Sequence, residues 1–291
     1  MLYMTQSETN SLRGNKGQAK RCILLTGGSA GIGLATAKML MNKGYRVYSG
    51  SRRGGGEAQK SSVSGGEIIP IFLDINDENG LREAVQKIVT ENGSLYGVIC
   101  NAGNGIAGSI EDTTIEEARY QFETNFFGSM KTIQACLPQF RKQNFGKIIA
   151  ITSIAAIIPV PYQAFYSAAK AAFQIFIETL SMEVKCYGIQ CCTILPGDTK
   201  TEFTSCRVYS ENCKNENSAY IQKMKTAVGK MEKDEQNGMK PEIIARAIVH
   251  QIEKKNMNLR VIPGLQYKAF NFLNRVVPNK LKINIINSVY S

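Results

Sequence analysis

Tyr166 and Lys170 stand four residues apart in the segment Tyr-Ser-Ala-Ala-Lys, so a helix would place both side chains on one face. A phenol has an unperturbed pKa near ~10, and a neighbouring ammonium group favours its ionised form. The spacing therefore predicts that the Lys170 ammonium group lies beside the Tyr166 phenol. The alternative is an ordinary pair of surface side chains.

A glycine-rich segment follows the first apolar run of the chain and precedes a helical pattern. Its sequence is Thr26-Gly27-Gly28-Ser29-Ala30-Gly31-Ile32-Gly33. Glycines allow a tight turn and a close approach to a pyrophosphate, and the helix that follows offers free N–H groups to it. The segment predicts either a dinucleotide site or a purely structural turn.

The composition excludes several other chemistries. His250 is the only histidine, so every histidine-based catalytic or metal site would depend on it. The eight cysteines include no C-x-x-C pair, which a zinc site made of cysteines would need. We predict no metal site and a structural role for His250 on a helix. Scattered thiols on apolar segments indicate a reducing, cytoplasmic location.

The positive charge is concentrated near the end of the sequence. The chain has 35 Lys+Arg and 24 Asp+Glu, a net charge of +11, and seven basic residues but no acidic residue lie within 254–291. The excess therefore belongs to one segment, and we do not expect a nucleic acid as partner. Apolar residues at roughly helical spacing, with Lys268 and Arg275, predict an amphipathic tail. It either packs on the domain or makes peripheral contact with a membrane surface.

Short apolar runs alternate with amphipathic stretches of helical length. This pattern predicts an α/β fold of the Rossmann type, with a doubly wound parallel sheet of about seven strands and helices on both faces. The predicted strands are 21–26, 45–51, 68–73, 97–101, 147–152, 189–195 and 258–262. The main predicted helices are about 31–42, 80–92, 115–142 and 164–185.

We expect a single domain over residues 20–263. Residues 1–19 are polar, lack the apolar stretch of a secretory signal, and are interpreted as a flexible leader. Residues 264–291 form the basic tail. Within the domain, 54–66 is expected to be a flexible loop, and 204–238 a lid, because ligands bind beyond the carboxyl ends of parallel strands.

Two further motifs lie at the ends of predicted strands. Asn101-Ala102-Gly103 ends the fourth predicted strand and Ser153 ends the fifth. Together with the glycine-rich turn and the Tyr/Lys pair, they resemble the single-domain short-chain dehydrogenases/reductases, whose signature is T-G-x-x-x-G-x-G, N-A-G, a Ser and Y-x-x-x-K. The match covers about residues 20–263. More loosely, the C-terminal region is similar to the 17β-hydroxysteroid and retinol dehydrogenases of that family.

The resemblance implies a catalytic tetrad of Asn125, Ser153, Tyr166 and Lys170. Tyr166 would be the general acid/base, Ser153 would hold the substrate carbonyl, Lys170 would bind the nicotinamide ribose, and Asn125 would support Lys170 through a water. The implied cofactor-binding residues are Thr26, Gly27, Ser29, Gly31, Ile32, Gly33, Ser51, Arg52, Arg53, Asp74, Ile75, Asn101, Ala102, Gly103, Tyr166, Lys170, Pro196, Gly197, Thr199 and Thr201.

The end of the second strand bears on the choice of cofactor. An acid there would bind the ribose hydroxyls of NAD, but this chain has Ser51 followed by Arg52 and Arg53. Arg52 can pair with a 2′-phosphate, so NADP(H) is favoured and NAD(H) remains possible. The alternative is a solvated basic turn.

The segment 154–162 is nearly all apolar and predicts a hydrophobic ketone or secondary alcohol as substrate. The loose similarity favours a steroid- or retinoid-like molecule. The alternatives are smaller carbonyl compounds or 3-oxoacyl groups, and, in a different class, a non-catalytic dinucleotide-binding sensor or scaffold. The family also implies a homodimer or homotetramer formed through the two long helices.

Overall fold

The computed structural model describes residues 21–214 and 218–290. The leader predicted for 1–19 lies outside these residues. The strands are β1 (Cys22–Thr26), β2 (Arg46–Ser51), β3 (Gln59–Lys60), β4 (Glu67–Phe72), β5 (Gly97–Cys100), β6 (Ile106–Ala107), β7 (Gly146–Ile151), β8 (Ile189–Ile194), β9 (Val208–Tyr209) and β10 (Arg260–Val261). The helices are α1 (Gly31–Asn42), α2 (Glu78–Asn92), α3 (Ile115–Phe122), α4 (Gly128–Gln143), α5 (Ala164–Glu183), α6 (Ile221–Gln236), α7 (Pro241–Glu253), α8 (Leu265–Val276) and α9 (Asn279–Tyr290).

The main sheet has eight strands in the order β10-β8-β7-β5-β1-β2-β4-β3. Seven of them run parallel, as the alternation of strands and helices predicted, and β3 pairs antiparallel with β4. The chain builds outward from β1 to β4 and then crosses to β5 on the other side of β1. This reversal opens a crevice beyond the carboxyl ends of β1 and β5, where such sheets bind ligands.

The sheet is covered on both faces, so its strands are apolar along most of their length. On one face, α2, α4 and α5 pack over a core that includes Leu24, Val98 and Phe173. On the other, α1 and α7 pack over a core that includes Ile23, Ile149 and Ile248. The Rossmann-type fold class expected from the sequence is confirmed.

Three segments differ in detail from their sequence-based predictions. The loop 54–66 contains the short strand β3, because Gln59 and Lys60 pair with the edge of β4. The helix expected over 115–142 is divided into α3 and α4 by a π-helical turn, Glu123–Phe127. The insertion 204–238 contains β9, which pairs with β6, and the amphipathic α6.

Candidate active site

The carboxyl ends of β1 and β5 are fixed to each other by side chains. The Asn101 amide nitrogen donates hydrogen bonds to the Gly27 carbonyl at 2.9 Å and the Thr26 carbonyl at 3.2 Å. The Thr26 hydroxyl oxygen accepts hydrogen bonds from the backbone N–H groups of Asn101 and Ala102 at 3.0 and 3.2 Å. These contacts hold the glycine-rich turn beside the segment that follows β5.

The glycine-rich turn is too compact for larger residues. Gly27 has a φ of +66°, and a Cβ atom there would lie 2.8 Å from the Ala102 Cα. A Cβ atom at Gly33 would lie 2.1 Å from the Gly27 carbonyl oxygen. Helix α1 begins at Gly31, and the side chain of its N-cap, Ala30, makes no capping hydrogen bond. The helix therefore presents its first N–H groups to the crevice, which fits a pyrophosphate.

Helix α5 carries Tyr166 and Lys170 into the crevice on one face, as their spacing predicted. The Lys170 ammonium donates a hydrogen bond to the Ile151 carbonyl at 3.1 Å, at the end of β7. Its nitrogen lies 5.8 Å from the centroid of the Tyr166 ring. Ser153, two residues beyond β7, accepts a hydrogen bond from the Ala155 N–H at 3.1 Å, so the turn after the strand orients its hydroxyl group.

Burial determines the protonation of both groups on α5. It raises the pKa of Tyr166 to about 12, outweighing the lowering effect of the hydrogen bond with Ser153. It lowers the pKa of Lys170 to about 8. We expected Lys170 to lower the pKa of Tyr166, but in the protein by itself the pKa shifts upward. Tyr166 is thus a neutral phenol at neutral pH.

Asn125 is fully buried in the π-helical turn between α3 and α4. Its amide nitrogen donates hydrogen bonds to the side-chain and main-chain oxygens of Asn104 at 2.7 and 2.9 Å. Among the described residues, its side-chain oxygen has no hydrogen-bond partner. A Cβ atom at Gly103 would lie 2.8 Å from this oxygen and 3.4 Å from the Lys170 nitrogen, so the three residues are immediate neighbours.

The sequence reasoning missed Asn104 and Gln121, which hold Asn125 in place. Gln121 donates hydrogen bonds to both oxygens of Asn104 and accepts one from the Ile106 N–H at 2.7 Å. Asn104 directly follows the Asn-Ala-Gly motif, and this position could have indicated that it belongs to the site. Gln121 gave no signal of its own, because a buried glutamine on a helix is identified only by its contacts.

A single cavity of about 760 Å³ brings most of the predicted site residues together. Its wall includes Ser153, Tyr166 and Lys170 and most of the expected cofactor-binding residues. These are Gly27, Ser29, Gly31, Ile32, Ser51, Arg52, Arg53, Asp74, Ile75, Asn101, Ala102, Gly103, Pro196, Gly197, Thr199 and Thr201. Three predicted residues, Thr26, Gly33 and Asn125, support the wall from behind through the contacts described above.

At the end of β2, Arg52 and Arg53 line the cavity and are exposed. An Arg53 guanidinium nitrogen lies 3.7 Å from a carboxylate oxygen of Glu202, across the cavity mouth. Asp74 follows β4 by two residues, and its carboxylate accepts a hydrogen bond from the Asn76 N–H at 3.0 Å. The two arginines thus place positive charge beside the end of the sheet that carries the glycine-rich turn.

The turn after β8 is held by the tail. A Cβ atom at Gly197 would lie 2.1 Å from the Tyr267 ring, so the ring packs directly on this glycine. The Tyr267 hydroxyl donates a hydrogen bond to the Asp198 carboxylate and accepts one from the Asp198 N–H, both at 2.8 Å. The Thr199 hydroxyl donates to the Gly197 carbonyl at 2.8 Å. The tail therefore positions the segment that contains Thr201.

The cavity wall also includes large apolar side chains, together with the polar residues Glu235, Asn274 and Lys282. The Phe203 ring centroid lies 5.7 Å from that of Tyr166. The insertion, the segment just before it and both tail helices contribute large apolar side chains to this wall, namely Phe203, Met231, Phe270, Leu273, Ile286 and Val289. Sequence reasoning did not assign these residues to the site, because their segments meet only in the folded chain.

The single histidine and the two adjacent cysteines of β8 do not line the cavity. His250 is exposed on α7. Cys191 and Cys192 are buried on β8, where burial raises the pKa of each thiol to about 12. Within residues 21–214 and 218–290, no group of three or more His, Cys, Asp or Glu side chains is arranged to hold a metal ion.

Comparison with known proteins agrees with this geometry. Residues 21–211 match the family model described as short chain dehydrogenase. The chain is 38% identical, over 242 residues, to a 3-ketodihydrosphingosine reductase from Bacteroides thetaiotaomicron, covering 83% of this chain and 87% of that one.

Solved structures with the same fold include proteins bound to either nicotinamide cofactor. A short-chain dehydrogenase from Burkholderia cenocepacia in complex with NADP superposes with a TM-score of 0.69 at 21% identity, covering 92% of this chain and 98% of that one. A short-chain dehydrogenase/reductase from Burkholderia phymatum in complex with NAD has a TM-score of 0.73 at 16% identity, covering 91% and 95%.

The fold, the glycine-rich turn and the family match together define a nicotinamide-dependent oxidoreductase acting on CH–OH groups. The chain belongs to the short-chain dehydrogenase/reductase family.

Proposed function

We propose that the protein is an NADPH-dependent reductase of long-chain lipid ketones. The observation that carries the proposal is the cavity itself, whose wall combines Ser153, Tyr166 and Lys170 with large apolar side chains from the insertion and the tail helices. The part of the cavity lined by these apolar side chains is the substrate chamber. A ketone bound in this cavity would direct its oxygen to the polar groups and its hydrocarbon chain under the tail helices. The name of the Bacteroides relative, a 3-ketodihydrosphingosine reductase, supports the same substrate class.

The proton in this reduction comes from Tyr166. When bound, NADPH supplies a hydride to the carbonyl carbon. Because burial keeps the pKa of Tyr166 at about 12, the phenol carries its proton at neutral pH and can donate it to the carbonyl oxygen. Ser153 accepts a hydrogen bond from the Ala155 N–H, and its hydroxyl hydrogen, which faces Tyr166, would turn to polarise the carbonyl oxygen of a bound substrate. The protonated phenol suits the direction of reduction.

Lys170 and Asn125 support this transfer. With a pKa of about 8, the Lys170 ammonium is mostly protonated at neutral pH and can bind the nicotinamide ribose. The side-chain oxygen of Asn125 is close to the same site beside Gly103. It can hold a water that returns a proton toward Lys170 after Tyr166 has lost its own.

The preference for NADPH rests on the end of β2. Ser51 stands where an acid would repel a 2′-phosphate, and Arg52 and Arg53 supply two cations at the cavity wall. Gly27, Gly31 and the N-terminal turn of α1 would bind the pyrophosphate. Asp74 and Ile75 would face the adenine.

The apolar side chains of the chamber favour a hydrophobic substrate, and the name of the Bacteroides relative favours a lipid chain over a rigid steroid or retinoid. The apolar wall of the chamber continues from Phe203 through Met231 to α8 and α9. Short ketones and small 3-oxoacyl groups would leave most of this wall uncovered. A long alkyl chain would bury it and gain binding free energy in proportion to the buried length.

The test is a steady-state screen with NADPH and NADH against 3-ketodihydrosphingosine, shorter-chain analogues, steroid ketones, retinal and small ketones. We expect the highest kcat/KM for the long-chain 3-keto compound with NADPH. Each removed methylene should lower kcat/KM by about fourfold, since a buried CH₂ is worth ~0.8 kcal/mol. A steroid, retinal or short ketone as the best substrate would contradict the proposal, as would independence from chain length.

A further inference from the structure

The two tail helices, α8 and α9, carry more apolar residues than those that line the cavity. Leu273, Ile286 and their neighbours line the cavity. Five further large apolar residues do not line the cavity and remain exposed to solvent; three of them share one face of α8, and the two on α9 lie on opposite edges of that helix. These residues, the outer apolar set, are Leu265, Phe272, Val276, Leu281 and Ile283, with exposed fractions of 83, 64, 59, 52 and 49%. Several large apolar side chains exposed on two neighbouring helices indicate an interaction surface.

The charged residues on the two tail helices are all basic, whereas α6, which packs against α9, places Asp234 and Glu235 near Tyr290. Residues 254–291 contain seven basic and no acidic residues. Lys268, Arg275 and Lys280 are exposed on or beside the two helices. Large apolar side chains flanked by Lys and Arg are characteristic of helices that lie in the interface of an anionic bilayer, with the apolar groups inserted and the cations at the lipid phosphates.

A second copy of the chain would be a poorer partner for this face. Two copies related by a two-fold axis would bring the same basic residues together across the interface. Like charges facing each other oppose association, whereas an anionic lipid surface neutralises them. Among the residues that the structure describes, each helix is too short or too polar to span a bilayer, so contact would be at the surface.

We propose that the outer apolar set and the surrounding basic residues dock the protein on anionic membrane surfaces. The same two helices form the wall of the substrate chamber, so docking places that wall against the lipid from which a long-chain ketone would enter. Only this route of entry rests on the proposed function. The docking itself depends on the exposed side chains and the charge.

Vesicle co-sedimentation of the full-length protein tests the docking without any substrate. The probes are phosphatidylcholine vesicles with and without 30% phosphatidylglycerol, at low and high salt. We expect binding to the anionic vesicles only, weakened by salt because the cations are exposed. The double variant Phe272→Glu/Leu281→Glu should bind at least tenfold more weakly. The matched control is Val63→Glu/Ile110→Glu, which alters two apolar residues exposed elsewhere and should bind like the native protein.

Three outcomes would overturn the docking proposal. In the first, the native protein sediments with neither type of vesicle, and in the second, the Phe272→Glu/Leu281→Glu variant binds as tightly as the control. In the third, light scattering shows that this variant loses a subunit contact, which would assign the face to a second copy. Reduction of a small soluble ketone should stay within about twofold of native in the variant, which confirms an intact fold. Failure of the long-chain substrate screen would leave the vesicle result unaffected.

Discussion

Tyr166 and Lys170 show how burial sets the protonation of a buried pair. The two groups share one helical face. Burial favours the neutral form of each group, so the pKa of Tyr166 rises to about 12 and the pKa of Lys170 falls to about 8. In a low-dielectric site each charged form loses hydration, so neither ionises as readily as in water. The phenol therefore keeps a proton that it can give to a carbonyl oxygen.

Replacing Tyr166 with Phe should remove that proton while keeping the ring contact with Phe203. We expect turnover to fall by about 10²–10⁴, the usual scale for the loss of a general acid. NADPH affinity, measured by fluorescence titration, should change little, because the hydroxyl group serves the substrate. Retention of full turnover would contradict the assigned role.

Lys170 should destabilise the folded protein at neutral pH. Its pKa is about 8 when folded and near ~10.4 when unfolded, so below pH 8 both states are charged and the folded state buries an ammonium group. Lys170→Met should therefore raise the free energy of unfolding at pH 7 by about 1–3 kcal/mol.

The difference in unfolding free energy between Lys170→Met and the native protein, here called the stability gap, should shrink as the pH rises. Between about pH 8 and 10.4, Lys170 of the native protein binds more protons in the unfolded state than in the folded state. The unfolding free energy of the native protein therefore rises with pH relative to that of Lys170→Met. Urea unfolding from pH 7 to 10.5 measures the gap, and Lys142→Met, at an exposed position on α4, is the control. A gap that widens with pH would refute the assignment, whereas loss of activity in Lys170→Met is expected in any case.

Arg52 is the residue on which cofactor choice most depends. Arg52→Asp should raise the Kd for NADPH by about tenfold or more, since it removes a charge pair with the 2′-phosphate and adds a like charge. The Kd for NADH should change by less than about threefold. Arg141→Asp, on the exposed end of α4, is the matched control for net charge. Equal changes for both cofactors would show that the basic turn is only solvated.

At the scale of elements, the glycine-rich turn depends on the absence of side chains. Gly33→Ala would place a Cβ atom 2.1 Å from the Gly27 carbonyl oxygen, a backbone atom that cannot move without displacing the turn. We expect a loss of about 1–3 kcal/mol in unfolding free energy, as for other overpacked sites, together with weaker binding of NADPH.

Gly229 provides the matched control for that substitution. It lies within α6, and a Cβ atom there meets nothing within 4 Å. Gly229→Ala should stabilise the protein by about 0.5–1 kcal/mol, because alanine is the better helix former. Thermal unfolding of the two variants distinguishes a steric effect of the turn from a general effect of replacing glycine. Equal stability of the two variants would contradict the steric argument.

The elements that repeat a simple pattern were predictable from the sequence, and those formed by contacts between distant segments were not. β1 and β7 are continuous apolar runs, and each lies within about one residue of its prediction. The π-helical turn at Glu123–Phe127 escaped prediction because one extra residue in a helix barely alters its hydrophobic spacing. β6 and β9 are two residues each and exist only as partners of each other.

The candidate site follows the same division. The residues at the ends of β1, β5 and β7 were predictable, because motifs placed there by the strands carry their own chemistry. The apolar part of the cavity wall was not, since it joins the insertion to the tail, and residues 239–263 separate these two segments in the sequence. The tail helix was expected either on the domain or on a membrane. The Tyr267–Asp198 hydrogen bonds place α8 on the domain while its outer side stays exposed.

At the scale of the whole molecule, a second exposed apolar surface lies on the long helices, away from the tail. Ile175 and Met182 are two turns apart on α5, with exposed fractions of 61 and 71%. Ile115 at the start of α3 is 59% exposed. A contact between the α5 helices of two subunits related by a two-fold axis would cover these apolar side chains. Such a contact would not bring the basic residues of the two tails together.

We therefore predict that α5 forms the subunit contact of a homodimer or homotetramer. Ile175→Asp/Met182→Asp should dissociate the contact, because it would place charges in an apolar interface, and light scattering should show the mass falling at least twofold. Phe272→Glu/Leu281→Glu, which alters the outer apolar set, should keep the native mass. The opposite pattern, dissociation by the tail variant alone, would exchange the roles of the two surfaces. Membrane docking requires a tail that is free of subunit contacts. This pair of measurements therefore tests both the subunit contact on α5 and the membrane contact on the tail.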